Sequence, residues 1–490
     1  MTLGKANLDI VFNSLVEAGG VEYGLARTEA GPRLAVRGPA DSTALAGFRG
    51  DRSEMDGKSL LLCPLSPSNA AALRANLPWL QPQPLGTRTS AGMGDRIGLA
   101  TPGHVRAVRL TGSVIAPIFA QQSIREMTRT GRTPRQVMDD ATWGAFAGGW
   151  QGSLGADADH LKTPADIDAC LEAGYTFFTI DPGAHVDDRA GAADLAALRE
   201  LAGLLPAEIH PSASGLIGRK IDIERLNLHF DEPTLTRAAV KYGKAVAHVA
   251  SMYHHLAEAA GQHPFELEVS VDETAQPTSH AEHFYIASEL KRLGVHWVSL
   301  APRYVGRFEK GVDYIGDIAL FETDFAGHAA IARHFGGYKL SLHSGSDKFS
   351  IYPTAARLSQ GRVHLKTAGT SYLEALRTLA ALDEPFLRDI YVFARGRYET
   401  DRASYHVSAE LGRAPLPEQV RDWPALLDQF DAREILHVTF GSVLTEKRPD
   451  GQPRFYDQFV ALLRAHPDEY AANLERHFAR HLTPFVEWCR

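Results

Sequence analysis

Cysteine is scarce in this chain: Cys63, Cys170 and Cys489 are the whole set in 490 residues. They are far apart and odd in number, which argues against a disulfide framework or a cysteine zinc cluster and for a reducing compartment. No block of basic residues occurs. The 51 Lys and Arg stand against 59 Asp and Glu, for a formal net charge of -8, so the clustered basic face of a nucleic-acid binder is missing. No apolar run approaches the ~18 residues of a membrane span. The N-terminus meets Asp9 before any long apolar stretch, so neither a membrane partner nor a cleaved leader is expected. These absences predict a cytoplasmic protein that acts on small molecules. Compact HExxH and CxxC spacings are absent too. Gly92, Gly94 and Gly98 form only a loose dinucleotide pattern, with the third glycine one place late and no clean strand before it; a flexible turn is the expectation there.

What the chain does have is a repeated strand-then-polar-loop rhythm. In KLSLH, Leu340 and Leu342 alternate with Lys339, Ser341 and His343. RVHLK repeats the scheme, with Val363 and Leu365 against His364 and Lys366. A period of two gives one apolar and one polar face. SVIAPIFAQQ, GADADH, YTFFTIDPG, FELEVSVDET, VHWVSLAPR and EILHVTFGS complete a set of eight strands, each followed by helical sequence. Strands separated by helices run parallel. Eight such units predict an α/β fold, a (β/α)8 TIM-like barrel with its functional groups at the C-terminal strand ends.

Three regions follow. Residues 1–105 are expected to form an N-terminal α+β cap, in which LDIVFNSLVEAGG reads as a short helix stopped by Gly19-Gly20. Residues 106–445 are the barrel, and 446–490 a helical extension packed on it. Helix starts are marked by Thr163 before Pro164, and by the capping boxes Ser279/Glu282 and Ser371/Glu374.

The polar strand faces carry too many carboxylates and histidines for packing alone, because buried charge is costly unless paired or metal-bound. His160 and His343 end their strands as candidate metal ligands, with Glu268 or Glu309 as an oxygen donor. Such a set suits Zn, Mn, Co or Ni. His364 and His437 lie deeper and read as hydrogen-bonded core histidines. Asp159 and Glu268, from different strands, are the best acid–base pair across a bound sugar. Lys348 and Lys366 could clamp a carboxylate, and Lys366 has a second reading as a Schiff-base lysine. Ser344 and Ser346 read as hydrogen-bond donors to substrate. Gln122, Asp181, Asp272 and Arg303, at strand ends, complete the candidate substrate contacts.

The blocks PIFAQQSIREMTRTGRTP, GADADHLKTPADID, YTFFTIDPG, RFEKGVDYIGD, KLSLHSGSDKFSIYP and VHLKTAGTSYLEALR resemble the tagaturonate epimerase family, over about residues 100–445. The resemblance implies interconversion of D-tagaturonate and D-fructuronate in hexuronate breakdown, with a divalent metal. It implies Asp159 as proton acceptor, Glu268 as proton donor, and His160 and His343 as metal ligands; Glu309 is the candidate for a third. The two keto-uronates differ at a carbon adjacent neither to the ketone nor to the carboxylate. Its hydrogen is not acidic, so simple deprotonation does not serve. Retro-aldol cleavage and re-addition is the expected route, using acid–base groups and a Lewis acid. A metal-dependent aldolase, a ketose isomerase acting on a sugar acid, and a non-catalytic sugar-acid binding protein are the alternatives. A keto-uronate is the expected partner, and a homo-oligomer is compatible with all of these readings.

Overall fold

The structure, a computed structural model, describes Leu3, residues 8–29 and residues 31–489. At its centre is a closed barrel of eight strands: Ser90–Gly92, Ala116–Ser123, Gly155–Leu161, Phe177–Ile180, Glu266–Val271, Ser299–Pro302, Lys339–Leu342 and Val363–Lys366. Neighbours in sequence are neighbours in space, all parallel, and the last strand pairs with the first through His364–Ser90 and Lys366–Gly92. The expected TIM-like architecture is therefore present.

Its first strand is not where the periodicity predicts. Ser90–Gly92 lies inside the glycine-rich stretch expected to be a turn. Three buried small residues carry no alternation that a sequence pattern could register. Conversely, EILHVTFGS is not a strand. It falls in the helices Phe430–Val438 and Phe440–Thr445. Residues 431–440 are all buried, so burial marks no period there, and Gln429 caps the first helix by accepting from the Ala432 amide. The barrel thus begins before residue 106, and its first outer helix is Thr101–Leu110.

The N-terminal region is a six-stranded antiparallel sheet. LDIVFNSLVEAGG is not one continuous helix: a 3-10 turn at Phe12–Ser14 separates strands Asp9–Ile10 and Val16–Ala18, and Gly19 and Gly20, at φ 57° and 76°, form the tight turn that joins Val16–Ala18 to Val21–Thr28. This sheet does not cover the strands' carboxyl ends. Helix Pro67–Asn76 docks through Arg74 on Asp139 and Thr142. The connector's Leu85 and Gly86 amides donate to Glu266, the first residue of the fifth strand, at 2.9 and 2.7 Å. The region packs around the barrel's foot.

The C-terminal helices close the outer ring. Helix Pro467–Leu482 crosses Thr101–Leu110 so closely that a Cβ on Gly103 would lie 2.6 Å from Leu474 Cβ. Capping boxes form at Thr163 and Ser279. The one expected at Ser371/Glu374 does not. That helix starts at Thr370 with Gly369 as an N-cap that offers no side chain, and Ser371 instead donates to the Gly94 carbonyl at 2.7 Å. Among the described residues no helix is long and apolar enough to cross a membrane.

Candidate active site

The carboxyl ends of the strands converge on a cavity lined by Gln121, Asp159, His160, His343, Ser344 and Lys366, among others. Strand alternation brings Asp157 and Asp159 inward from the third strand, and Glu268 and Ser270 from the fifth. His160 would then point outward. Its backbone adopts φ 54°, a left-handed conformation that costs about 1–3 kcal/mol in such sites. The register with the fourth strand slips at the same point. The result is that adjacent Asp159 and His160 both face the cavity.

Both histidines are held the same way. His160 Nδ1 is 2.6 Å from Asp159 Oδ1, and its Nε2 faces Asp272 Oδ1 at 3.8 Å. His343 Nε2 is 2.7 Å from Glu268 Oε1, and its Nδ1 faces Asp272 Oδ1 at 3.3 Å. The rings lie 4.9 Å apart. One nitrogen of each ring is thus fixed by a carboxylate, and the other turns toward Asp272. Ligand atoms of His160, Asp272 and His343 all lie within 4.8 Å of one another. A carboxylate orienting each imidazole is the usual surrounding of a metal-bound histidine, so this donor set fits a divalent cation.

Glu309, the expected third ligand, lines the adjoining cavity with Asp272 and His343 but is not part of their cluster. Its carboxylate accepts from the Ser408 amide and hydroxyl at 2.7 and 2.8 Å. Asp272, expected among the substrate contacts, occupies the third corner. Its distance from the histidines in sequence and the lack of any compact motif concealed this.

Beneath the histidines lies a layer of mutually paired charges. Lys366 Nζ sits 2.5 Å from Asp159 Oδ1, 2.9 Å from Glu268 Oε1 and 3.1 Å from Asp157 Oδ2, and donates to Thr179 Oγ1 at 2.6 Å. Burial opposes its charge, but Asp157, Asp159 and Glu268 together push its pKa up. It is held as an ammonium and cannot serve as a Schiff-base nucleophile. Burial likewise opposes charge on the two expected acid–base groups. His160 and Lys366 nevertheless hold Asp159 well below the usual carboxylate range, and Lys366 and His343 do the same for Glu268. His364 lies one layer deeper, its Nδ1 2.9 Å from Ser90 Oγ, as expected of a core histidine.

Other expected contacts divide. Ser344 lines the cavity, and Arg303 lines the adjoining one beside Asp272 and His343. Asp181 pairs with Lys162 at 3.1 Å in a side cavity that reaches His160. Lys348 does not line the cavity. Its ammonium donates to the carbonyls of Glu309, Val312 and Ser346 at 2.7, 2.5 and 2.9 Å and pins that loop. Gln122 is also turned away: Gln121, in register with Asp157, is the glutamine that faces inward and donates to Asp159 Oδ2 at 3.0 Å. Gly92 leaves room for it, since a Cβ there would lie 2.7 Å from Gln121 Cγ. The register with Asp157 is the signal that distinguishes the two glutamines. Arg96, Lys310, Tyr405 and His437 also line the cavity; the first three escape sequence reasoning because they come from loops. His437, expected as a hydrogen-bonded core histidine on a strand, is on a helix instead, and among the described residues its ring nitrogens have no hydrogen-bond partner.

A closed parallel barrel whose rim gathers two carboxylate-braced histidines, a further carboxylate and a buried lysine has the composition of an enzyme active site. The family model described as tagaturonate epimerase matches residues 13–485, and the chain belongs to that family. A tagaturonate/fructuronate epimerase of Thermotoga maritima is 40% identical over 476 residues, covering 97% of this chain and 96% of that protein. The native crystal structure of a fructuronate-tagaturonate epimerase of Cohnella laeviribosi superposes with a TM-score of 0.92 at 38% identity, over 99% of this chain and 97% of that one. Its complex with one glycerol aligns equally well, at 37% identity.

Proposed function

We propose that the chain interconverts D-tagaturonate and D-fructuronate by opening and re-forming one carbon–carbon bond, with a divalent cation held by His160, Asp272 and His343. The convergence of those three side chains beside Asp159 and Glu268 carries the reading. When bound, the cation would supply Lewis acidity toward the ketone end of the substrate. Asp159, ionised at neutral pH, takes the proton of the hydroxyl on the carbon that is to be inverted. The bond from that carbon toward the ketone breaks, its electron pair passes into the ketone-bearing fragment, and the inverted carbon becomes an aldehyde. Rotation of the aldehyde presents its other face. Re-addition forms the same bond again, and the proton taken by Asp159 passes through the Lys366 ammonium to Glu268, which returns it to the oxygen. Lys366, bonded to both carboxylates, links the two ends of this proton path and keeps each carboxylate aimed. The buried cavity holds both fragments while the bond is open.

The test is product analysis by nuclear magnetic resonance with tagaturonate and metal-loaded protein, repeated with an aldehyde trap. Fructuronate without a trap, and a trapped three-carbon aldehyde acid with one, are expected. An absolute requirement for added nicotinamide cofactor, with no trapped aldehyde, would overturn the route.

A further inference from the structure

The cavity has a second wall that the steps above do not use. Arg96, whose Nε and Nη2 bond Glu126 Oε1 at 3.0 and 2.5 Å, is stacked over Phe440 at 3.6 Å. Its third nitrogen, Nη1, is buried and has no hydrogen-bond partner among the described residues. His437 is 1% exposed, and both of its ring nitrogens likewise lack hydrogen-bond partners among the described residues. Such groups are costly unless something else satisfies them. Lys310 lines the same cavity, and among the described residues no hydrogen bond or ion pair engages its ammonium. The helix Thr370–Leu382 begins here, and no side chain caps its start. Ala368 and Gly369, just before it, line the cavity. A Cβ on Gly369 would collide with His437 Nε2 and crowd Arg96 Nη2, so glycine keeps the helix end open. The first-turn amides and the positive end of the helix dipole favour an anion.

We propose that this wall, formed by Arg96, Lys310, His437 and the open start of the helix Thr370–Leu382, receives the carboxylate of the substrate and thereby selects uronates over neutral ketoses. The inference rests on the keto-uronate reading and deepens it. The substrate's ketone end lies toward His160 and His343, and its carboxylate lies across the cavity. The carbon that inverts is then between them, beside Asp159. Holding the carboxylate also anchors the aldehyde fragment while its reacting end rotates. The nearest acidic group on this wall, Glu126, is already neutralised by Arg96, so the remaining donors are free for a ligand.

The test uses full-length protein treated with chelator, which removes any contribution from a metal. Thermal melts are compared with D-glycerate, a three-carbon hydroxy acid, and with glycerol, its neutral counterpart, for the wild type, Lys310→Met and His437→Gln. The wild type is expected to gain melting temperature with glycerate beyond glycerol, and both variants to lose that gain. In metal-loaded enzyme, Lys310→Met is expected to raise KM for tagaturonate about 10- to 100-fold while kcat changes less than KM. Equal shifts with glycerate and glycerol, or variants that keep the wild-type glycerate shift and KM, would overturn the assignment. If wild-type enzyme left tagaturonate unconverted, the proposed function would fail, and the glycerate melts would still decide this wall.

Discussion

The two walls of the cavity differ in how their charged groups are paired. On the strand side every charge answers another. Lys366 contacts Asp157, Asp159 and Glu268, which in turn brace His160 and His343. On the helix side Arg96 Nη1 and both nitrogens of His437 have no hydrogen-bond partner among the described residues. Paired charges keep reactive groups in one geometry without help from a ligand. Unpaired donors lower stability until a ligand arrives, and so they mark where a charged part of a substrate is recognised. A barrel rim of this kind separates machinery that must be pre-aimed from machinery that must discriminate.

The contrast is sharpest in stability. Lys366→Met leaves three buried carboxylates without their common partner, and loss of about 3–5 kcal/mol is expected. His437→Leu removes nitrogens that have no partner, so its cost is expected to fall within about 1 kcal/mol of zero. Urea denaturation of the two variants beside wild type checks this. Equal destabilisation would mean that the walls do not differ as described.

A smaller effect is expected behind the helix-side wall. Burial and the neighbouring Glu309 carboxylate push the Glu434 pKa up to about 8, against the Ala409 amide that donates to it. Glu434 is therefore protonated in the folded protein at neutral pH, whereas an unfolded glutamate titrates near about 4.3. Between those values the folded state binds the extra proton, so its stability falls as pH rises toward 8. Glu434→Gln should flatten the decline in melting temperature from pH 6 to pH 9. An unchanged slope would show that Glu434 does not hold the proton.

How much of this is legible in the chain itself follows the same division. The strand-side wall is built from residues in alternating runs, so Asp159, Glu268, His343 and Lys366 can be placed on inward faces from periodicity alone. His160 breaks that rule. Its position depends on a left-handed backbone, which no alternation reveals, and only its place at a strand end points to it. Asp272 continues the inward face of its strand, but nothing local distinguishes a metal corner from a substrate contact, and Glu309 is an equally good carboxylate until its Ser408 partners are seen. The helix-side wall is nearly illegible. Arg96 follows a strand of three small residues, Tyr405 lies in an irregular segment, and His437 sits in a run, 431–440, that is buried throughout, so no exposed face marks its helical period. Lys348 misleads for a different reason: a lysine in a polar loop resembles a ligand clamp, yet three backbone carbonyls consume its donors.

The central claim is that Asp272, not Glu309, joins His160 and His343 around a cation. Metal content of purified protein, measured after dialysis against each candidate divalent ion, tests it most directly in wild type, His160→Ala, His343→Ala, Asp272→Asn and Glu309→Gln. Wild type and Glu309→Gln are predicted to retain one ion per chain, and the other three to lose it. Retention by Asp272→Asn together with loss from Glu309→Gln would contradict the account.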